Sequence, residues 1–96
     1  MIVESELVGG GCSYWACMPS KALLRPAQVL AEAGAAGGVT GARLDPAPVL
    51  ARRDQFTYDW KDDGQVDWLT GAKIDLVRGH GRITGERVVQ VGDTVL

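Results

Sequence analysis

The sequence has no apolar run of the roughly 18 residues or more that a membrane-spanning helix requires. Its first residues, Met1 to Glu6, include two acids and no lysine or arginine, which is not the pattern of a secretory leader. Two cysteines are too few for the disulfide framework of a small secreted protein. Ten basic residues against twelve acidic ones provide no positive surface for nucleic acid or an anionic membrane. We therefore expect a cytoplasmic protein that binds neither.

Potential metal ligands are scarce as well. His80 is the only histidine, so the chain lacks the ligand set of a structural zinc site, and we expect no metal site. The chain is short: 96 residues make one domain at most, with a small core. Glycine, by contrast, is plentiful. Its 13 copies are about twice the usual ~7%, which predicts turns or places where the backbone approaches another group closely.

The order of patterns along the chain predicts an α/β layout in which helices precede strands. Met1-Ile2-Val3 has the pattern of the end of a buried strand, and Gly9-Gly10-Gly11 that of a loop. A helix is expected from Pro19 to about Ala36, and Gly37-Gly38 ends it. The apolar stripe of this helix is predicted to consist of Leu23, Leu24, Ala27, Leu30, Ala31 and Ala33.

The second half of the chain changes from helical to strand patterns. Asp45-Pro46 predicts the start of a second helix that runs towards Tyr58-Trp60, and Gln65 to Thr70 predicts a short third one. Four β-rich runs separated by glycines follow, and they predict antiparallel hairpins. These runs are Ile74 to Arg78, His80 to Ile83, Val88 to Val91 and Thr94 to Leu96.

The segment from Gly9 to Lys21 carries the most chemical information. Cys12 and Cys17 are five positions apart at the start of a predicted helix, so they can close a small disulfide ring. The unpaired N–H groups and the dipole of a helix N-terminus favour an anion there, which stabilises a Cys17 thiolate. Two buried free cysteines acting as small apolar side chains are the alternative interpretation, and the spacing by itself leaves both open.

The order Gly-Gly-x-Cys-x-x-x-x-Cys-x-Pro-Ser-Lys in this segment resembles the active-site signature of the flavin-dependent pyridine nucleotide–disulfide oxidoreductases. That family includes dihydrolipoamide dehydrogenase, glutathione reductase and mercuric reductase. Gln65 to Leu69 and Val77 to Ile83 also look like later parts of the same FAD-binding domain. The resemblance implies a Rossmann-like FAD-binding domain that is only partly present, with a strand stub, then helices, then an antiparallel β-meander.

The resemblance also implies which residues bind FAD. Glu4 would bind the adenosine ribose, although a surface carboxylate is the alternative. Gly9 and Gly10 would let the chain pass close to the flavin nucleotide. Gly11 occupies a position where the family usually has threonine, glutamate or valine, and this departure loosens the expected loop.

The remaining implied roles concern the cysteines and two later segments. Cys12 would be the interchange thiol, and Cys17 would lie against the isoalloxazine ring as the charge-transfer thiolate. Lys21 would approach the flavin N5 region, with an exposed helix lysine as the alternative. The backbone of Gly79-His80-Gly81 would hydrogen-bond the adenine edge, so His80 itself need not be catalytic.

The implied reaction passes electrons from NAD(P)H through FAD to a Cys12–Cys17 disulfide and on to a disulfide or metal-ion substrate. The signature is shared by enzymes acting on lipoamide, mercuric ion, other disulfides and quinones, so it indicates the reaction and not the substrate. The Gly-x-Gly-x-x-Gly turn, the nicotinamide domain and the dimerisation domain of these homodimeric enzymes have no counterpart in residues 1–96. We therefore expect an incomplete FAD-binding domain that is inactive in isolation. A free-standing, flavin-independent thiol redox module and a non-catalytic truncated remnant are the alternatives.

Overall fold

A computed structural model describes all 96 residues, which form two compact units. The sheet unit comprises Met1–Gly10 and Lys61–Leu96, and the helical unit comprises Gly11–Trp60. The elements in chain order are β1 (Ile2–Glu4), α1 (Gly10–Tyr14), α2 (Cys17–Ala35), α3 (Pro46–Phe56), a 3-10 turn (Tyr58–Trp60), α4 (Asp63–Gly71), β2 (Leu76–Arg78), β3 (Gly81–Gly85), β4 (Val88–Val91) and β5 (Thr94–Val95). The predicted α/β class is confirmed, with helices followed by a three-stranded antiparallel sheet.

Both ends of α3 follow local chemistry. Asp45 caps α3 by accepting a hydrogen bond from the Ala47 N–H (3.2 Å), and Pro46 takes the first helical position, as predicted. The last turn of α3 is closed by Thr57, whose Oγ1 lies 3.1 Å from the carbonyl oxygens of both Arg53 and Asp54. The helix therefore ends at Phe56, and the chain continues through a separate turn to Trp60.

The face that α2 buries differs from the predicted stripe. Pro19 and Ala22 are buried, and Pro26, Leu30 and Ala33 are half-buried, while Leu23, Leu24, Ala27 and Ala31 are exposed. Apolar residues surround most of this helix, so periodicity alone could not select the face. The position of α3, which packs against α2, makes that selection.

Gly9-Gly10-Gly11 is not a simple loop, because α1 begins inside it. Gly9 and Gly10 have φ values of 122° and 72°, a region that favours glycine, and the Gly10 N–H donates to the Leu7 carbonyl oxygen (3.2 Å). The helix then runs to Tyr14. The loop was predicted because glycine is unfavourable inside helices. The prediction was wrong because these glycines form the turn that starts α1.

The sheet unit contains two separate sheets. β1 pairs in parallel with β2, with Glu4 opposite Arg78, and β3, β4 and β5 form the predicted antiparallel meander. The prediction that Ile74 to Arg78 belongs to a hairpin was therefore wrong. A strand pattern does not identify its partner, and here the partner lies more than 70 residues earlier in the chain. Met1 and Ile2 are exposed and not buried, because β1 has a neighbour on one side only.

The apolar core is small. Its buried members are Val8 and Leu69 in the sheet unit and Tyr14, Pro19 and Ala22 in the helical unit. Many large apolar side chains remain exposed, among them Leu24, Trp68 and Ile83. None of the helices combines the length and the apolar character that crossing a membrane requires.

Candidate functional site

A disulfide joins Cys12 in α1 to Cys17, the first residue of α2. Their Cα atoms are 4.5 Å apart, within the ordinary range for this bond. The chain reverses between the two cysteines because the Trp15 and Ala16 N–H groups both donate to the Gly11 carbonyl oxygen, at 2.8 and 2.7 Å. Two short-range hydrogen bonds therefore shape the ring that brings the sulfur atoms together.

The two cysteines have different surroundings. Cys12 is exposed, whereas Cys17 is half-buried at the N-terminus of a 19-residue helix. Free N–H groups and the dipole at this helix end stabilise a negative sulfur at Cys17 once the disulfide is reduced. Lys21 lies one turn further along α2 and is exposed. The arrangement combines one accessible sulfur with one whose thiolate is favoured, which is what thiol–disulfide exchange requires.

Trp60, the last residue of the helical unit, contacts the segment between the two cysteines. Its indole Nε1–H donates to the carbonyl oxygen of buried Tyr14 (3.2 Å), and its ring stacks on Trp15 with 6.4 Å between centroids. The Arg53 guanidinium lies 5.2 Å from the centroid of the Trp60 ring. The sequence gives no sign of this contact, because nothing local relates Trp60 to Tyr14, 46 residues earlier.

The turn that carries Trp60 is left-handed. Tyr58, Asp59 and Trp60 have φ values of 52°, 53° and 53°, which cost roughly 1–2 kcal/mol per residue for side chains with a Cβ. The contacts of Trp60 with Tyr14 and Trp15 offset part of this cost. Local strain is thus concentrated next to the disulfide ring.

In the sheet unit, the predicted residues Glu4 and Gly79 meet at the carboxyl ends of the two parallel strands. The Gly79 N–H donates to the Glu4 carbonyl oxygen (2.9 Å), so this donor is already occupied. The Glu4 carboxylate accepts the Glu6 N–H through Oε1 (2.8 Å). Ligands of open α/β sheets bind outside the carboxyl ends of parallel strands, and Glu4 stands at such an end.

Packing in the sheet unit accounts for two of the predicted glycines. Gly79 has a φ of 140°, and a Cβ added there would lie 2.5 Å from Val91 Cγ1. A Cβ on Gly81 would lie 3.0 Å from Val3 Cγ1. Both positions favour glycine whether or not a ligand binds. Gly79 and exposed His80 line a cavity of about 660 Å³, so a ligand has room beside these two residues.

Gly10 and Gly11 lie in open surroundings. No atom lies within 4 Å of a Cβ built on Gly10 or Gly11, and Gly11, unlike Gly9 and Gly10, has no positive φ. A larger residue fits at Gly11 without strain, which agrees with its being the position where the sequence departs from the family pattern. Of the predicted residues, Gly11, Cys12, Cys17 and Lys21 lie in the helical unit and the others in the sheet unit.

Sequence reasoning missed a buried carboxylate that fixes the segment after Glu4. Asp62 Oδ2 accepts the Val8 N–H (2.6 Å) and pairs with Arg78 Nη2 (2.7 Å), while Arg78 Nη1 donates to the Glu6 carbonyl oxygen (2.8 Å). The Val8 hydrogen bond, and then Arg78, hold the pKa of Asp62 below its ordinary value of 3.8, although burial acts in the opposite direction. No local signal marks Asp62, since it sits in a polar break beside exposed Asp63.

No protein-family model matches the chain. Curated relatives do match it along nearly its whole length. A dihydrolipoyl dehydrogenase of Halobacterium salinarum is 36% identical over 96% of this chain and 20% of its own length. The corresponding enzyme of Bacillus subtilis is 38% identical over 91% of this chain and 19% of its own length. A mercuric reductase of Bacillus cereus is 26% identical over 94% of this chain and 15% of its own length. The chain therefore spans about a fifth of the length of the two dihydrolipoyl dehydrogenases and 15% of that of the mercuric reductase, and the resemblance in the cysteine segment is confirmed.

Proposed function

Because this chain is homologous to a segment of dihydrolipoyl dehydrogenases and mercuric reductase, we propose that it is the disulfide-carrying part of a flavin-dependent disulfide oxidoreductase. The observation that carries the proposal is the Cys12–Cys17 disulfide at the start of α2, inside the signature segment. The substrate is a disulfide or a metal ion, and the complete enzyme is a homodimer.

The residues present are compatible with FAD. Glu4, at the end of a parallel strand, has its second carboxylate oxygen for a ribose hydroxyl. The cavity at Gly79 and His80 has room for the adenine edge, and Gly10 and Gly11 offer a backbone that a ligand can approach. Lys21 and Cys17 are the residues we assign to the flavin ring. The chemistry that bound FAD supplies is the transfer of an electron pair from a reduced nicotinamide.

The cysteines perform the exchange on the substrate side. Reduction of their disulfide takes up two electrons and two protons and yields two thiols. Exposed Cys12 attacks a substrate disulfide, forms a mixed disulfide and releases the first substrate thiol. Cys17, as the thiolate favoured by the α2 N-terminus, then attacks the Cys12 sulfur, restores the ring and releases the second thiol.

Under this proposal, residues 1–96 are an incomplete FAD-binding domain, and other residues contribute the nicotinamide and dimerisation domains. Two observations support it: the chain spans about a fifth of the length of its relatives, and its buried core is small while many large apolar side chains are exposed. Because the sequence contains no Gly-x-Gly-x-x-Gly turn for the pyrophosphate, we expect the isolated chain to retain FAD weakly.

The cysteine chemistry is tested on the full 96-residue chain with Ellman's reagent, an aromatic disulfide. The reduced wild-type chain should release two aromatic thiolates and return to an internal disulfide, as read by mass spectrometry. Cys17→Ser should release one and keep a mixed disulfide on Cys12, because the resolving sulfur is gone. The Cys12→Ser, Cys17→Ser double variant is the control and should release none. A wild-type chain that ends with two mixed disulfides contradicts an exchange pair.

The FAD part is tested separately by adding FAD to the same chain, desalting it and recording flavin absorbance. We expect little flavin to stay with the protein. A stoichiometric yellow complex would show that these residues suffice for FAD binding and would overturn the incomplete-domain proposal. The cysteine result stands or fails independently of this one.

A further inference from the structure

A groove of about 490 Å³ lies between α2 and α3 in the helical unit. Its volume falls within the ~300–1,000 Å³ typical of small-molecule sites. Aliphatic and proline side chains form its floor. They are Pro26, Val29, Leu30, Ala33, Leu44, Pro48 and Val49. None of the residues assigned to the redox site lines this groove, so a ligand bound here is separate from the function proposed above.

Three arginines stand along the groove, Arg25, Arg43 and Arg52. The only acid among the lining residues is Asp45, and its Oδ1 already accepts the Ala47 N–H as the cap of α3. The groove is therefore locally positive in a chain whose formal net charge is −2. Positive charge concentrated beside an apolar floor favours the binding of a ligand that carries a negative charge and an apolar part.

The guanidinium groups are open to a ligand. Arg43 makes no ion pair in the structure, and the pair between Arg25 and Glu32 is long (3.4 Å) and exposed, so it holds Arg25 only weakly. The Arg52 guanidinium lies over the Phe56 ring, 4.4 Å from its centroid. Stacking occupies one face of this planar group and leaves its N–H edge for a carboxylate, which arginine binds with two parallel hydrogen bonds.

We propose that this groove binds a free amphipathic carboxylate of medium chain length, with the alkyl chain on the apolar floor and the carboxylate among the arginines. An alkyl chain brings no polar groups to the floor. A peptide would bring backbone N–H and C=O groups for which aliphatic side chains offer no partner. A membrane surface would meet the rim and leave the concave floor uncovered. Chain chemistry and charge thus favour a small fatty carboxylate over both.

The test titrates decanoate, below its micelle-forming concentration, into the full 96-residue chain and follows backbone amide shifts by NMR. We expect one saturable site, with shifts confined to α2, α3 and the segment before α3. Arg43→Gln should weaken binding about tenfold or more, because a charge-assisted hydrogen bond is lost. Val29→Ser, at a 45% exposed floor position, should also weaken it by removing apolar contact.

Two sets of controls separate the contribution of charge to the affinity from that of the alkyl chain. Arg87→Gln removes the same charge in the sheet unit and should leave the affinity unchanged. Acetate, which has the anion without the chain, and decyltrimethylammonium, which has the chain with the opposite charge, should both bind more weakly than decanoate. Equal binding of either compound, or an Arg87→Gln effect as large as that of Arg43→Gln, overturns the proposal. So does saturation by an acidic amphipathic peptide or by phosphatidylglycerol vesicles when decanoate fails to bind.

Discussion

At the scale of single residues, Asp62 holds three parts of the sheet unit together. Asp62 Oδ2 accepts a hydrogen bond from the Val8 N–H, in the segment after β1. The same oxygen forms an ion pair with the guanidinium of Arg78, at the end of β2. Asp62 is buried, whereas Asp63 beside it is exposed. Nothing in the local sequence separates the two aspartates, because the partners of Asp62 come from positions 8 and 78.

The lowered pKa of Asp62 predicts how stability depends on pH. The folded pKa lies below the ordinary value of 3.8, so the ionised form is favoured by folding, and this contribution is complete well above that value. It is lost as pH falls from about 3.8 through the folded pKa. Urea unfolding from pH 6 to pH 2.5 should show this loss, and Asp62→Asn should flatten it.

Asp63→Asn, at the exposed neighbour, is the matched control and should keep the wild-type pH dependence. Asp62→Ala should cost about 1–3 kcal/mol of unfolding free energy at pH 7, because it leaves the Val8 N–H buried without a partner. Identical pH profiles for the wild type and Asp62→Asn would count against this role of the carboxylate.

At the scale of elements, local signals located the start of α3, while tertiary contacts decided which faces are buried and which strands pair. The start of α3 at Asp45-Pro46 was predictable, since the capping carboxylate and the N–H that donates to it are two residues apart. The buried face of α2 was not, because leucine and alanine occur on several sides of it. The left-handed turn before Lys61 was also unpredictable, because it depends on the contacts of Trp60 with Tyr14 and Trp15.

Gly79 connects β2 to the meander, and its substitution tests that connection. Gly79→Ala places a Cβ 2.5 Å from Val91 Cγ1 at a φ of 140°, so we expect a loss of at least about 1–3 kcal/mol in urea unfolding. The control is Gly64→Ala in α4, where the position is open and φ is not positive. Alanine there should raise stability by about 0.5–1 kcal/mol. Equal stability of the two variants would contradict the packing seen at Gly79.

At the scale of the whole molecule, the small core and the exposed strand edge are the dominant features. β1 pairs with β2 and has no strand on its other side, and Met1 and Ile2 beside that edge are 65% and 39% exposed. Unpaired N–H and C=O groups on an edge strand offer a template for another chain. The isolated chain is therefore prone to associate through β1.

Sedimentation velocity over a range of concentrations tests this association. We expect the wild type to form larger species as concentration rises, and Ile2→Lys to shift the population towards monomer by adding a charge at the edge. Leu50→Lys, an equivalent change at a 44% exposed position on α3, should leave the association as in the wild type. A wild-type chain that remains monomeric at every concentration would rule out edge pairing.

The sequence by itself determined the features that depend on neighbours along the chain. These are the α/β class and the cap of α3 at Asp45-Pro46. The spacing of Cys12 and Cys17 permitted a disulfide but did not require it, and the structure contains that disulfide. Tertiary structure decided the parallel pairing of β1 with β2. It also decided the long-range hydrogen bonds that Asp62 accepts and that the Trp60 indole donates. It also created the groove lined by arginines. Each of these depends on groups far apart in sequence, whose meeting no local pattern encodes.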